Sequence, residues 1–270
     1  MVRKRSKGSK SEKSRARHRR TETKRFADGM RDAGKLAYQL LNELEDFIVE
    51  GVATDEIDRF VDKLTSEAGA TSAPLDYKGF QGHCCTSVNE VVCHGIPNWY
   101  VLKEGEIINV DVTPKLRGYH GDSSRMFAIG QISEADQSLI DVTKECLRLA
   151  IEAVTPGCGI NVIGCAIEPY ARDHDFSVVR AYTGHGIGKQ FHQEPPIPHM
   201  AFKAADGTIM PTLKPGTAFT IEPMLNAGGM EVLLEEDGWT VTTADDSRSA
   251  QWEHTLLVTN EGIEVTTDGS

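Results

Sequence analysis

The sequence predicts an α+β fold built from one unit used twice, and three observations carry this. Segments of helical period precede strand-like runs in each half of the 270-residue chain. The tripeptide HGI occurs at 94–96 and again at 185–187. The first copy is followed by KEGEIINVD (103–111) and the second by KPGTAFTIE (214–222). Both read Lys, any residue, Gly, then a strand ending six residues past the glycine in a carboxylate. A repeated order of this kind implies a pseudo-twofold core whose halves meet at one site.

The first helix is expected over about Phe26–Val49, where Met30, Ala33, Ala37, Leu40, Leu41, Leu44 and Phe47 fall at helical spacing. A second starts near Thr54 as its cap, turns Ile57, Phe60, Val61, Leu64 and Ala68 inward, and ends at Gly69. A third spans Ser133–Val154 and stops at Thr155-Pro156-Gly157; a fourth follows Asn161. Strands are expected at 88–93, 107–113, 119–129, 177–182, 218–224, 239–243 and 253–258, with a longer loop from His192 to Pro211 in the second unit.

At 39% hydrophobic residues the chain can bury a large core. It holds no run approaching the ~20 apolar residues that span a bilayer, so no membrane association is expected. No apolar segment follows the basic N-terminus, which argues against a secretory signal. Six cysteines show no CxxC pair, which fits reduced thiols and a cytoplasmic location. Charge divides the chain sharply. Residues 1–25 carry 12 Lys/Arg against 2 Asp/Glu, a net of +10, and the rest carries a net of −21. The basic segment is too polar to fold alone, so 1–25 is expected as a disordered tail whose generic partner is a polyanion. Residues 26–270 are expected to form a single domain.

Acidic residues in apolar runs point to the chemistry. Asp111 sits inside IINVDVT, and a hairpin centred between Leu116 and Arg117 would place it opposite Asp122. Like charges facing across a strand pair are destabilising. Glu222 lies in AFTIEPM and Glu253 in AQWEHTLLV. Buried carboxylates are costly unless cations hold them. His185, in TGHGIGKQFHQEP, sits between glycines with His192 seven residues on. Two Asp, two Glu and one His form an oxygen-rich donor set suited to Mn, Fe or Co rather than to a thiolate zinc site. One carboxylate can bridge two such ions in hydrolases.

The segments NEVVCHGIP, INVDVTP, YHGDSSRMF, GHGIGKQFHQEP, FTIEPM and SAQWEHT, in this order and spacing, resemble type I methionine aminopeptidase over roughly residues 26–265. The resemblance implies the pseudo-symmetric "pita-bread" fold and two divalent ions (Co, Mn, Fe or Zn) on Asp111, Asp122, His185, Glu222 and Glu253. It implies catalytic and substrate-contacting roles for His94 and His192, with Glu222 as general base. It implies a methionine pocket of Tyr77, Cys85, Phe191, Met224 and Trp239, and a Na or K ion at Asn89, Val91 and Ser249. The glycines around His185 would let metal and substrate backbone approach. The expected activity is removal of the initiator methionine from nascent chains with a small second residue, by a monomer, with the ribosome as a polyanion for the tail. Gln81, where proline is frequent, and the doubled Cys84-Cys85 depart from the family pattern at the pocket border. Trp99 and Tyr100 suggest an exposed aromatic patch.

Three other readings compete. A prolidase-like Xaa-Pro peptidase would keep the metals; the Cys85 and Trp239 elements favour methionine. An inactive binding relative would lack metal ligands. A protein acting chiefly as a polyanion binder is disfavoured by the acidic body.

Overall fold

The computed structural model describes residues 8–203 and 209–269, the first twelve of these by backbone alone. Four helices organise it: α1 (Gly8–Glu43), α2 (Thr54–Glu67), α3 (Glu134–Ala153) and α4 (Asn161–Asp173). In the first half, Leu36, Leu40, Leu41 and Leu44 of the α1 region and Ile57 and Val61 of α2 form one buried core with Ile108, Val110, Val112 and Phe127. In the second, Leu139, Cys146 and Leu147 of α3 and Ile163 and Ile167 of α4 pack on Phe219, Ile221, Leu225 and Leu256. Each half is therefore a helix pair on a sheet, as the repeated motif predicts.

The sheets centre on the two repeated strands. Ile107–Val112 pairs with Cys85–Val88 on one side and Ser123–Ala128 on the other. Ala218–Ile221 lies between Gly184–Gly186 and His254–Val258. Among the described residues, no helix is long and apolar enough to cross a membrane.

Four expectations need correction. α1 spans Gly8–Glu43 rather than Phe26–Val49, so residues 8–25 are helical where a disordered tail was expected and the helix gives way to turns after Glu43; residues 1–7 lie outside the described residues. No proline interrupts 8–25. Once the packed portion supplies the nucleus, each added residue gains a hydrogen bond at little cost. The α2 cap is Ala53, whose N–H donates to Glu56 (2.9 Å), because the Thr54 hydroxyl is committed to the Asn98 backbone in both directions (2.9 Å each). The 88–93, 119–129 and 218–224 strands each break in two, at Asn89-Glu90, Gly121-Asp122 and Glu222-Pro223, and the 177–182 strand is reduced to Ser177–Val178.

The fourth correction concerns register. Asp111 pairs with Ser124, not Asp122. Arg117 (φ 51°) and Gly118 (φ 85°) both adopt the left-handed conformation of a two-residue hairpin turn, which moves the hairpin centre one residue C-terminal. A slip of two residues preserves the side-chain face. Asp122 thus still reaches the face of Asp111, just before the Ser123–Ala128 strand, where the Thr113 hydroxyl donates to it (2.7 Å).

Candidate active site

Both halves contribute to one cluster. Asp111 and Asp122 come from the first hairpin, His185 from the Gly184–Gly186 strand, Glu222 from the break after Ile221, and Glu253 from the residue before His254–Val258. Asp122 and Glu253 are buried. Ligand atoms of Asp122, His185 and Glu253 lie within 4.8 Å of one another. Asp111 and Glu222 line the same cavity, and one Asp111 carboxylate oxygen is buried without a partner among the described residues.

Side chains behind the cluster fix its geometry. His185 Nδ1 donates to the Gly186 carbonyl (3.0 Å), which leaves Nε2 facing Asp122 (3.4 Å) and Glu222 (3.7 Å). Fixing one imidazole nitrogen in this way presents the other to a metal. The Thr220 hydroxyl accepts from His185 N–H (3.0 Å) and donates to Glu222 Oε1 (2.7 Å); Gln251 donates to Glu222 Oε2 (3.3 Å). The sheet itself requires the flanking glycines. A Cβ on Gly184 would stand 2.5 Å from the Thr220 carbonyl oxygen, and one on Gly186 would stand 2.3 Å from that of Glu194.

The electrostatics identify what the cluster suits. Burial, then the neighbouring carboxylates, push Asp111 and Glu253 well above the usual carboxylate range. Burial lifts Glu222 to about 7. Burial opposes charge on His185, but the Asp122 hydrogen bond and the Glu222 carboxylate outweigh it and raise His185 to about 9. Four clustered carboxylates with one imidazole, one carboxylate oxygen lacking any partner, are a donor set that divalent cations fit. A stability prediction follows. Both Glu222 and His185 bind protons more tightly folded than unfolded, so their stabilisation is present at low pH and lost as pH rises. The metal-free protein should lose melting temperature from about pH 4.5 through 7 for Glu222, and on through about 9 for His185. Excess Mn(II) should flatten this fall. Metal-free melts independent of pH over this span would contradict it.

A cavity of about 240 Å³ opens onto the cluster, walled by Tyr77, Phe80, Cys85, His94, Phe191, His192 and Trp239. Tyr77 stacks on His192 (5.1 Å) and tilts against Phe191 (4.9 Å); Trp239 meets Phe80 (5.2 Å) and His94 (6.1 Å) edge-on. Met224 departs from expectation: it is buried with Val92, Cys93 and Val241 and borders the adjoining cleft, not this cavity. Phe80 was missed; its signal was an aromatic residue in YKGF, close to Tyr77. Asp58 was missed too. It accepts from His83 N–H (2.6 Å) and Cys84 N–H (3.2 Å), with Cys84 Sγ at 3.8 Å, so Cys84 anchors the wall from behind and Cys85 faces the cavity. Trp99 is 85% exposed, but Tyr100 is half-buried with its hydroxyl on Glu106, so the expected aromatic patch is Trp99 alone; Gln81 is exposed. Of the monovalent-ion residues, Asn89 and Ser249 meet through Ser249 N–H to Asn89 O (2.9 Å), and Val91 starts the strand two residues on.

Comparison with known proteins agrees with this geometry. Residues 28–260 match the family profile described as metallopeptidase family M24. Methionine aminopeptidase A of Synechocystis sp. is 51% identical over 248 residues, covering 92% of this chain and 96% of the relative. The crystal structure of methionine aminopeptidase from Rickettsia prowazekii superposes with a TM-score of 0.87 at 46% identity, covering 90% of this chain and 97% of that one. An Xaa-Pro dipeptidase from Bacillus anthracis (TM-score 0.71, 20% identity, 91% of this chain and 61% of that one) shares the fold alone. The pita-bread architecture and the match across nearly the whole body place this chain in metallopeptidase family M24, among the type I methionine aminopeptidases.

Proposed function

We propose that this chain removes the initiator methionine from nascent proteins and peptides whose second residue is small. The observation that carries the reading is a five-residue donor set opening directly onto an aromatic- and thiol-walled cavity. A thioether packs well on aromatic edges and sulfur, which Tyr77, Phe80, Cys85, Phe191 and Trp239 provide. Asp111, Asp122, His185, Glu222 and Glu253 would hold two divalent ions, with Co, Mn, Fe and Zn as the family's metals. Such ions lower the pKa of water towards neutrality and polarise a carbonyl.

The remaining steps belong to side chains. Glu222, oriented by Thr220 and Gln251, accepts a proton from the attacking water and passes it to the leaving amine. Burial first, then His185, holds His192 down at about 4, and burial lowers His94 as well. Both imidazoles are therefore neutral at pH 7. An N–H of His192 can donate to the developing oxyanion, and His94 can contact the scissile amide nitrogen. Asn89, Val91 and Ser249 would take a Na or K ion.

Hydrolysis of Met-Gly-Met-Met on adding Mn(II), with no cleavage of an Ala-Pro peptide, is the expected result. The reverse preference would make the chain a prolidase-like enzyme. Metal-independent cleavage would remove the metallopeptidase mechanism.

The same reading gives the basic segment a partner: the RNA of the ribosome, where nascent N-termini emerge. The chain is proposed to act there as a cytoplasmic monomer of one domain, residues 26–270. A segment that neutralises ~6 phosphates loses about 10³-fold in affinity between 50 and 200 mM salt. Deleting residues 2–25 should leave tetrapeptide turnover unchanged, because every site residue lies beyond 76. It should weaken co-sedimentation with ribosomes at low salt. Equal co-sedimentation of both forms would remove the ribosome proposal.

A further inference from the structure

We infer that His199, outside the motifs and both clefts, is the positioning residue that fixes the backbone of Glu222. The inference rests on the reading of Glu222 as ligand and base. His199 is 1% exposed, and its Nε2 accepts the Glu222 N–H at 3.1 Å. That acceptor sits where the sheet cannot supply one. The Ala218–Ile221 strand ends its pairing at Ile221 with His254, and the residue after Glu222, Pro223, has no N–H with which to continue the ladder. Without His199, the Glu222 amide would be a buried donor with no partner, a costly state. An amide in that state is relieved by turning the peptide, and turning this peptide moves the Glu222 carboxylate.

A second observation supports a positioning role over a purely structural one. An imidazole that accepts through Nε2 carries its proton on Nδ1, and His199 Nδ1 is buried with no hydrogen-bond partner among the described residues. An unsatisfied buried donor costs stability, so an apolar residue of similar volume would relieve that cost at this position. What the histidine supplies at this position is therefore the acceptor on its other nitrogen. Glu222 is held at three points: Oε1 by Thr220, Oε2 by Gln251, and its amide by His199. His199 follows the Gln193–Ile197 strand, which pairs with the strand carrying His185, so one segment supports two of the second-half ligands, His185 and Glu222.

The test compares His199→Leu, which removes the acceptor, with His199→Gln, whose carbonyl oxygen reaches about as far as Nε2. Partners behind a metal ligand typically contribute about 10–100-fold in metal affinity or activity. His199→Leu is expected to lower kcat on Met-Gly-Met-Met by about tenfold or more, with KM little changed, and to weaken Mn(II) affinity by calorimetry in that range. His199→Gln is expected to recover most of both. A leucine variant with wild-type kcat and Mn(II) affinity would overturn the inference. So would a glutamine variant that melts like wild type yet is as impaired as leucine. If the leucine variant does not fold, His199→Asn, too short to reach the amide, replaces it under the same criteria. Failure of the underlying reading would show elsewhere: Glu222→Gln would then bind Mn(II) like wild type.

Discussion

Asp122→Asn is expected to abolish methionine release and to lower metal stoichiometry. Asp122 faces His185 Nε2, shares a 4.8 Å cluster with Glu253, and is buried. An amide cannot balance a divalent cation's charge as a carboxylate does. Losing a metal that supplies several kcal/mol of transition-state stabilisation costs ~10³-fold or more in kcat. Asp111→Asn and Glu253→Gln should behave alike. The control is stability. In the metal-free state the clustered carboxylates repel, and burial raises Asp111 and Glu253 far above their ordinary range. Removing one charge should leave the metal-free melting temperature unchanged or higher at pH 7, while the gain on adding Mn(II) disappears. Wild-type turnover with intact stoichiometry in these variants would show the ligand assignment to be wrong.

How far the sequence discloses this site depends on whether a residue's reason for being there is local. The four acids were visible because each stands in an apolar run where charge needs an explanation. His185 was visible because its glycines are unusual, although the reason lay in the sheet: carbonyls of Thr220 and Glu194 crowd both sides. The hairpin register was missed by two residues because Arg117 takes the left-handed conformation together with Gly118, which a centre at Leu116-Arg117 did not allow for. Face alternation rescued the functional conclusion, since a two-residue slip leaves Asp111 and Asp122 on one side. Asp58 and His199 were invisible because their partners are backbone amides 25 and 23 residues away. Nothing in a helix position or in PIPHM marks such a contact. Met224 was placed in the cavity wall on resemblance. The break at Glu222-Pro223 instead leaves it buried behind the Val91–Cys93 strand.

His192→Ala is expected to keep bound metal and lose most of kcat. The His192 ring lies 4.0 Å from that of His185 and stacks on Tyr77, lining the cavity and the adjoining cleft. In the proposed role it meets a bound carbonyl from the cavity wall without sharing the cation. Held at about 4 by burial, it stays neutral throughout the working range and keeps an N–H to donate. Removing one donor to a developing oxyanion costs about 10²–10³-fold in rate. Because that hydrogen bond strengthens only as charge develops, the loss should fall on kcat more than on KM. The pH dependence of the residual activity should match wild type, since no titration of His192 falls between pH 5 and 9. The alternative has an opposite signature. If His192 were a ligand, the alanine variant would bind less metal, and its metal-loaded fraction would turn over at the wild-type rate. Metal analysis and active-fraction kinetics on one preparation separate the two, because donor loss slows every molecule while ligand loss empties some of them.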